Sequence, residues 1–405
     1  MSQTKPFNIP KQLIFDAYKR VKANKGSAGV DAQSLVDFEQ DLKDNLYKLW
    51  NRMSSGSYFP QAVKRVEVPK ADGKTRPLGI PTVADRIAQM AVKMQIEPEL
   101  EAHFHDDSYG YRPDKSAQQA VMLVKQRCWQ RPWVLDMDIK GFFDNIDHDL
   151  LLKAVDKHVT EKWHQLYIVR WLQAPVQYSD RTMEHKGKGT PQGGVISPLL
   201  ANLFLHYVFD VWIKMYCKDI QFVRYADDII CHCTSEQEVE QLHTKLLQRF
   251  TECGLTLHPE KTKIVYCKSW KHTADFECIS FDFLGFTFRP KLIKYRSGKF
   301  LVGFIPEVSR KAAKRILAEI NSWSWQFWVQ REIKDILRYS QSKLRGWIEY
   351  YGKVAIYSIK WVLQHFNRKL SRWAKRKYKS LKNYAQAMRR VIKFQRKHPG
   401  LLAHW

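Results

Sequence analysis

Tyr225-Ala226-Asp227-Asp228 sets two carboxylates side by side on a tight turn between the apolar runs QFVRY and IICHC, and about ninety residues upstream LDMDIKGFFDNIDH offers a third, Asp138. Three carboxylates brought to one surface would form an oxygen-only cage for divalent cations. Such ligation favours Mg2+ over softer metals, with Mn2+ able to substitute. Two ions about 3.5–4 Å apart suit nucleotidyl transfer, in which one activates an attacking hydroxyl while the other holds a triphosphate and stabilises the departing pyrophosphate. Taken alone, an aromatic-x-Asp-Asp string also fits a solvated hairpin turn, where paired Asp residues are common. In WVLDMDI, strand alternation puts Asp136 and Asp138 on one face, and only the one nearer the strand end can reach a metal at the surface.

The elements that must position these residues can be read from periodicity. PKQLIFDAYKRVKANK (10–25) and residues 34–54 have helical apolar spacing, so the first 65 or so residues form a helical prelude. VKRVEVPK alternates as a strand and runs into the turn KADGKT. A helical pattern follows from 83 to 130, interrupted by DDSYGYRPDK. Next come the strand WVLDMDI, the helix DHDLLLKAVDKHV, a long apolar helix SPLLANLFLHYVFDVWIKMY and a hairpin QFVRYADDIICHC. EQEVEQLHTKLLQRFTECG reads as a helix closed by Gly254, after which short strands carry TKIVYC and FDFLGFTF. This order suits an antiparallel sheet backed by helices, an α+β arrangement. Beyond Pro306 the pattern is almost purely helical.

Charge points to the partner. The 405 residues carry a formal +26, more than solubility requires and the footprint of a polyanion binder. Residues 301–405 hold 24 Lys+Arg against 5 Asp+Glu, and no acid follows Glu349. Trp361, Phe366, Trp373, Tyr378, Tyr384 and Phe394 are interleaved with those cations, a composition that suits a folded RNA-binding module better than a disordered basic tail. The seven Cys residues have no CxxC spacing, no apolar run approaches membrane-spanning length, and the first ten residues do not resemble a signal peptide. A reducing bacterial cytoplasm, without disulfides or membrane anchoring, is the expectation. Cys231-His232-Cys233 invites a zinc reading, but its two Cys share one strand face with no further ligands nearby in sequence, which favours core packing.

Seven blocks stand in order along the chain: KADGKTRPLGIPTVADR, SYGYRP, LDMDIKGFFDNIDH, GTPQGGVISPLLANLFL, YADD, LTLHPEKTK and FDFLGF. This ordered set resembles the reverse transcriptases encoded by bacterial group II introns, and the resemblance runs from about Pro10 to Trp405. It implies a right-hand polymerase of the α+β class, with an antiparallel palm sheet and an all-helical thumb. The domains expected are an N-terminal helical extension at 1–66, fingers and palm at 67–300, and a thumb/maturase region at 301–405. The last is similar to the family's thumb through RYSQSKLRGWIEYYGKVAIYSIKWVLQHFNRKLSRWAKRKYKSLK, which includes Gly346, Trp347, Tyr350 and Tyr351, and through the closing LLAHW.

Residue by residue, the resemblance implies Asp138 and Asp227 as the bridging metal ligands, with the Ile139 carbonyl as an additional ligand and Asp228 more peripheral. Phe143 would close the pocket under the sugar and exclude a 2'-hydroxyl. Lys70 and Arg76 would reach the triphosphate, Arg as a bidentate clamp and Lys as a point charge, with Lys74 able to replace Lys70. Gln192 would lie beside the nucleotide and templating base, with Gly193 and Gly194 allowing close backbone approach. Lys261 would lie near the pyrophosphate or simply be solvated. Arg112 is read as support for the fingers. FDFLGF corresponds to the primer grip, although its apolar content equally suits pure core. Many relatives continue into a DNA-binding segment and a Cys- and His-bearing endonuclease domain, absent from residues 1–405, so a form lacking the endonuclease is expected.

The implied activity is RNA-directed DNA synthesis with two Mg2+ ions, on a group II intron RNA or other RNA template, from a DNA primer and deoxynucleoside triphosphates, with the RNA/DNA duplex held by the thumb. A maturase role, folding the intron RNA for splicing, is the second expectation. The alternatives are a domesticated reverse transcriptase in phage defence or a CRISPR system, and a non-catalytic RNA-binding splicing factor.

Overall fold

The computed structural model describes residues 5–69, 75–294 and 298–397. Lys70, Lys74, the intervening ADG turn and the closing LLAHW lie outside them. The elements run α1 (Lys11–Asn24), α2 (Leu35–Gln40), α3 (Leu42–Ser54), β1 (Val63–Pro69), β2 (Thr75–Ile80), α4 (Val83–Glu101), α5 (Ala117–Cys128), β3 (Trp133–Met137), α6 (His148–His158) and α7 (Lys162–Leu172). Then follow β4 (Val176–Gln177), β5 (Met183–Glu184), α8 (Ser197–Leu205), α9 (Val211–Tyr216), β6 (Gln221–Tyr225), β7 (Asp228–Cys233), α10 (Glu236–Glu252) and β8 (Lys263–Tyr266). β9 (Phe281–Phe283), β10 (Phe286–Lys294), β11 (Phe300–Val308), α11 (Arg310–Ser322), α12 (Ile333–Lys377) and α13 (Tyr384–Lys397) follow among the described residues. Strand orders are β2-β1-β4-β5, β6-β7-β3-β8 and β11-β10-β9. The α+β class expected from the sequence is what the chain forms, and no described helix is long and apolar enough to cross a membrane.

Two compact units can be described in turn. The first comprises the described parts of Met1–Lys115, Met137–Ile229 and Glu240–Thr262. Its N-terminal helices pack through Leu13, Ile14, Ala17 and Val21 of α1, all buried. The single helix expected over 34–54 is broken. Ser34 and Asp37 form a capping box that starts α2, but Asp41 leaves helical geometry (φ −116°, ψ 44°), and the Asn45 side chain donates to the Phe38 carbonyl at 3.0 Å. A continuous helix would bond that carbonyl to the backbone N–H of Leu42. Thr82 caps α4, its Oγ1 accepting from the Asp85 N–H at 3.1 Å. The long apolar helix expected over 197–216 is interrupted by a π-helical segment, His206–Asp210, between α8 and α9. The extra residue per turn carries Asp210 inward to Arg224, a pairing that bears on the site below.

The second unit comprises the described parts of Ser116–Asp136, Ile230–Val239 and Lys263–Trp405. Within it β3 pairs antiparallel with β8, Trp133 opposite Tyr266 and Asp136 opposite Lys263. Cys231, His232 and Cys233 are all buried in β7, and loss of solvation drives His232 down to about 3, keeping it neutral. FDFLGF turns tightly at Leu284 and Gly285, both with positive φ (50° and 79°), as a two-residue hairpin of the primed type requires. Phe281, Phe283 and Phe286 are buried, the Tyr350 hydroxyl donates to the Leu284 carbonyl at 2.9 Å, and a Cβ at Gly285 would meet the Tyr351 hydroxyl at 3.1 Å. The GWxxYY tyrosines therefore dock α12 on this turn. β10 and β11 extend the hairpin into a nine-residue ribbon, Phe286 opposite Val308 through Lys294 opposite Phe300. The region from 301, expected to be all-helical, thus opens with strand β11, whose pairing with β10 across the ribbon the sequence reading missed.

Candidate active site

Asp138 follows the end of β3, where backbone bonds fix it: its carbonyl accepts from the His258 N–H at 2.7 Å, and the next residue, Ile139, bridges Leu257. Asp227 and Asp228 sit where β6 turns into β7. Burial raises the Asp227 carboxyl above its ordinary range, repulsion from Asp138 adds to the rise, and Arg76 opposes it. For Asp228, loss of solvation and then repulsion from Asp227 and Asp138 push the carboxyl up to about 7, with Lys261 and Arg76 pulling the other way. Asp228 as a residue still reaches solvent, so screening tempers the shift. Three carboxylates from two remote segments thus feel one another's charge at one place. Excess negative charge of this kind, on oxygen donors only, is relieved by hard divalent cations.

The third carboxylate is already engaged. Lys261 donates to Asp138 Oδ2 at 2.8 Å. Among the described residues no three His, Cys, Asp or Glu side chains converge as a finished coordination shell. The donor set fits a hard cation in kind, and assembling it requires Asp138 to exchange the ammonium for the ion.

Of the other predicted site residues, Arg76 lies near these acids, and the rest are positioned by their own local contacts. Arg76 is exposed on β2, close enough for its charge to act on both Asp227 and Asp228. Phe143 is half-buried in a short 3-10 turn, its ring 5.3 Å from that of buried Phe142, and its carbonyl accepts from the Thr190 N–H at 2.8 Å. Gly189 must be glycine for this packing, since its φ is +86° and a Cβ would lie 2.8 Å from the Asp144 carbonyl oxygen. Gln192 is half-buried in the next loop, its carbonyl accepting from the Gly79 N–H at 2.6 Å. The close approach at Gly193 (φ +114°) is to β2, where a Cβ would lie 2.5 Å from the Gly79 carbonyl oxygen. Arg112 is buried and holds the loop before it, donating to Glu101 and to the carbonyls of His105 and Ser108. Asp136 lies within β3, opposite Lys263, and Lys70 lies outside the described residues.

The sequence reading missed the scaffold of the Asp227–Asp228 turn. Arg224, with no solvent exposure, donates to Asp210 at 2.8 and 2.5 Å, to Asn202 Oδ1 at 3.0 Å and to the Ala226 carbonyl at 3.2 Å. Ala226 needs that hold because it adopts the left-handed region (φ 57°), sparsely used by residues with a Cβ. Asn202 in turn donates to the Gly110 carbonyl at 2.7 Å, and the Tyr109 N–H donates to the Arg224 carbonyl at 2.8 Å. A Cβ on Gly110 would lie 2.3 Å from the Ala226 nitrogen. SYGYRP is therefore pressed against the turn, and it brings Tyr111 near the acids: loss of solvation and then the Asp227 charge raise its phenol. An arginine inside an apolar run immediately before paired Asp residues was the available signal, since a buried cation demands a partner.

The family described as "Reverse transcriptase (RNA-dependent DNA polymerase)" matches residues 68–288, and "Group II intron, maturase-specific domain" matches residues 313–392. Among curated relatives, the "Group II intron-encoded protein LtrA" of Lactococcus lactis subsp. cremoris is 35% identical over 198 residues, covering 48% of this chain and 32% of that protein. "Protein YkfC" of Escherichia coli (strain K12) is 29% identical over 362 residues, covering 80% of this chain and 91% of that protein. The chain thus spans about a third of the length of the Lactococcus relative and most of the Escherichia one. With one family match covering more than half of its length, the chain belongs to the reverse transcriptase family, and it carries after that match one to the group II intron maturase-specific domain.

Proposed function

We propose that the protein is an RNA-directed DNA polymerase that extends a DNA primer on an RNA template with deoxynucleoside triphosphates, and that it binds group II intron RNA as a maturase. The observation that carries the first part is the mutual charge coupling of Asp138, Asp227 and Asp228 with Arg76 at one place. Asp138, Asp227, Asp228 and the Ile139 carbonyl would hold two Mg2+ ions, or Mn2+ in their place. When bound, these would supply a more acidic primer hydroxyl and charge neutralisation at the triphosphate.

The chain's own residues do the rest. Arg76 contributes a fixed positive charge for the phosphates, and Lys70 is proposed for the same task. Lys261, displaced from Asp138 when cations bind, is within a side chain's swing of the site and would serve the departing pyrophosphate. Phe143 would crowd a 2'-hydroxyl, and Gln192 would lie beside the nucleotide. Arg224 holds the turn that presents Asp227, so the acids are aligned before substrate arrives.

RNA binding is supported by the thumb. A cavity of about 370 Å³ in the second unit is lined by Arg368, Lys369, Arg372 and Arg376, with Trp325 and Trp373 at its wall and no acidic residue. Such a surface suits phosphates of a folded RNA, read by shape and charge. Primer extension on an RNA template with Mg2+, wild type beside Asp227→Ala, tests the polymerase. Full-length cDNA from the wild type alone is the expected result; no product from either protein, with tight intron RNA binding intact, would leave only the maturase role.

A further inference from the structure

α12 is not one straight helix. Ala355 departs from helical geometry (φ −132°, ψ 54°), and the chain restarts as a helix beyond it. Ser358 fastens the restart: its hydroxyl accepts from the Val308 N–H at 2.8 Å and donates to the Ala355 carbonyl at 3.2 Å. One consequence is a groove of about 460 Å³ between the end of β11, the start of α11 and the restarted helix. Tyr357 and Trp361 line it, four residues apart and so on one helical face. They are 85% and 65% exposed, whereas Trp323, Trp325, Phe366 and Trp373 of the same unit are buried. Arg289, Lys291 and Arg310 also line the groove, and Glu307, its single acid, is shared by Arg289 (2.5 Å) and Lys291.

Two exposed rings beside three cations and one neutralised carboxylate select a class of ligand. An acidic peptide would leave the rings unused. A lipid surface calls for a rim of exposed aliphatic side chains, and none of the groove's aliphatic residues, Val308, Ala313 and Val362, is exposed. A nucleic acid duplex keeps its base faces stacked inward and offers only phosphates. An unpaired nucleotide presents both a π-face and a phosphate, and base–aromatic stacking tolerates any sequence because every base has such a face. The volume lies within the ~300–1,000 Å³ typical of small-ligand sites.

We infer that this groove captures unpaired RNA, stacking a splayed base on Tyr357 or Trp361 while Arg289, Lys291 and Arg310 hold the flanking phosphates. The choice of RNA rests on the maturase reading, since Tyr357 and Trp361 fall within the matched residues 313–392. The groove would therefore favour loops and junctions of a structured RNA over its helices.

The test uses the full chain and two fluorescein-labelled probes, an unstructured RNA of about ten nucleotides and a blunt RNA duplex, read by anisotropy. Tyr357→Ala and Trp361→Ala should each weaken single-strand binding about 5- to 100-fold, with duplex binding within about twofold of wild type. Trp361→Phe should recover most of the loss, and Arg310→Gln should lower the salt slope by about one. Thermal unfolding checks that the variants stay folded. Unchanged single-strand affinity, equal losses on both probes, or a change of oligomeric state without a change in RNA affinity would each overturn the inference. A wild-type protein that binds neither probe nor intron RNA would instead remove the maturase reading beneath it.

Discussion

Arg224→Met removes the cation that fixes the Asp227–Asp228 turn. Asp210, 1% exposed, would be left buried without its counter-charge, while Asn202 Oδ1 and the Ala226 carbonyl each lose a donor. Breaking a buried ion pair from one side costs about 3–5 kcal/mol. For a unit of this size each kcal/mol lowers the melting temperature by about 2–4 °C, so a drop on the order of 10 °C is expected. Its pH dependence has a definite sign. In the wild type, burial pushes Asp210 up but Arg224 and His206 pull it down further, leaving it below the ordinary carboxylate range. That depressed group stabilises the fold above its unfolded pKa of about 4, and the contribution is lost as pH falls through the folded value. Without Arg224, burial dominates and the carboxyl rises, so the variant's deficit should be largest near pH 7–8 and shrink towards pH 4 as Asp210 protonates. Catalysis should suffer separately: a misplaced Asp227 costs about 100-fold in kcat, as a displacement of about 1 Å does in other enzymes. The double variant Asp210→Leu/Arg224→Met should regain much of the stability, because neither charge is buried alone, yet remain slow, because the Ala226 carbonyl is still unheld. A single variant that melts within 2 °C of wild type and extends primers at the wild-type rate would refute the reasoning.

Gly110→Ala should cut primer extension about 100-fold or more, because its Cβ would lie 2.3 Å from the Ala226 nitrogen. Gly187→Ala, which meets nothing within 4 Å, is the matched control and should be near wild type; equal rates for the two would contradict the packing described here. Phe143→Val should raise ribonucleotide incorporation at least ~10-fold relative to deoxynucleotides in paired single-nucleotide extensions, by opening space under the sugar. Intron RNA affinity should fall about 1,000-fold or more between 50 and 200 mM salt if six or more phosphates are neutralised by the thumb. A nearly flat salt titration would mean that the basic surface is not the RNA contact.

Much of the fold and part of the site were legible in sequence, and for a local reason. Strand alternation, helical spacing, cap residues and turn formers act within a few residues, so α1, β1, β3, α6 and the β6–β7 hairpin could be read directly. The acids were conspicuous because hydrophobic runs on both sides left Asp227 and Asp228 nowhere to be but on a turn. Where the reading failed, a side-chain hydrogen bond decided. The break at Asp41 depends on Asn45 reaching back to Phe38, and the π-helical turn at His206–Asp210 depends on Arg224 fourteen residues beyond Asp210. Periodicity carries no record of either bond.

The sequence by itself determined the chemistry on offer: three carboxylates, a cation set for phosphates, and a thumb whose acids cease at Glu349 while its aromatics continue. Residue types and short spacings suffice for that, because charge, donor class and local propensity belong to the residues themselves. Tertiary structure alone decided that Asp138 holds Lys261, that SYGYRP presses on the Ala226 backbone, and that Tyr357 and Trp361 remain at the surface while Trp323, Trp325, Phe366 and Trp373 of the same unit are buried. Each is a contact between segments far apart in the chain, or the lack of one, fixed by packing that closes only when the whole core is formed.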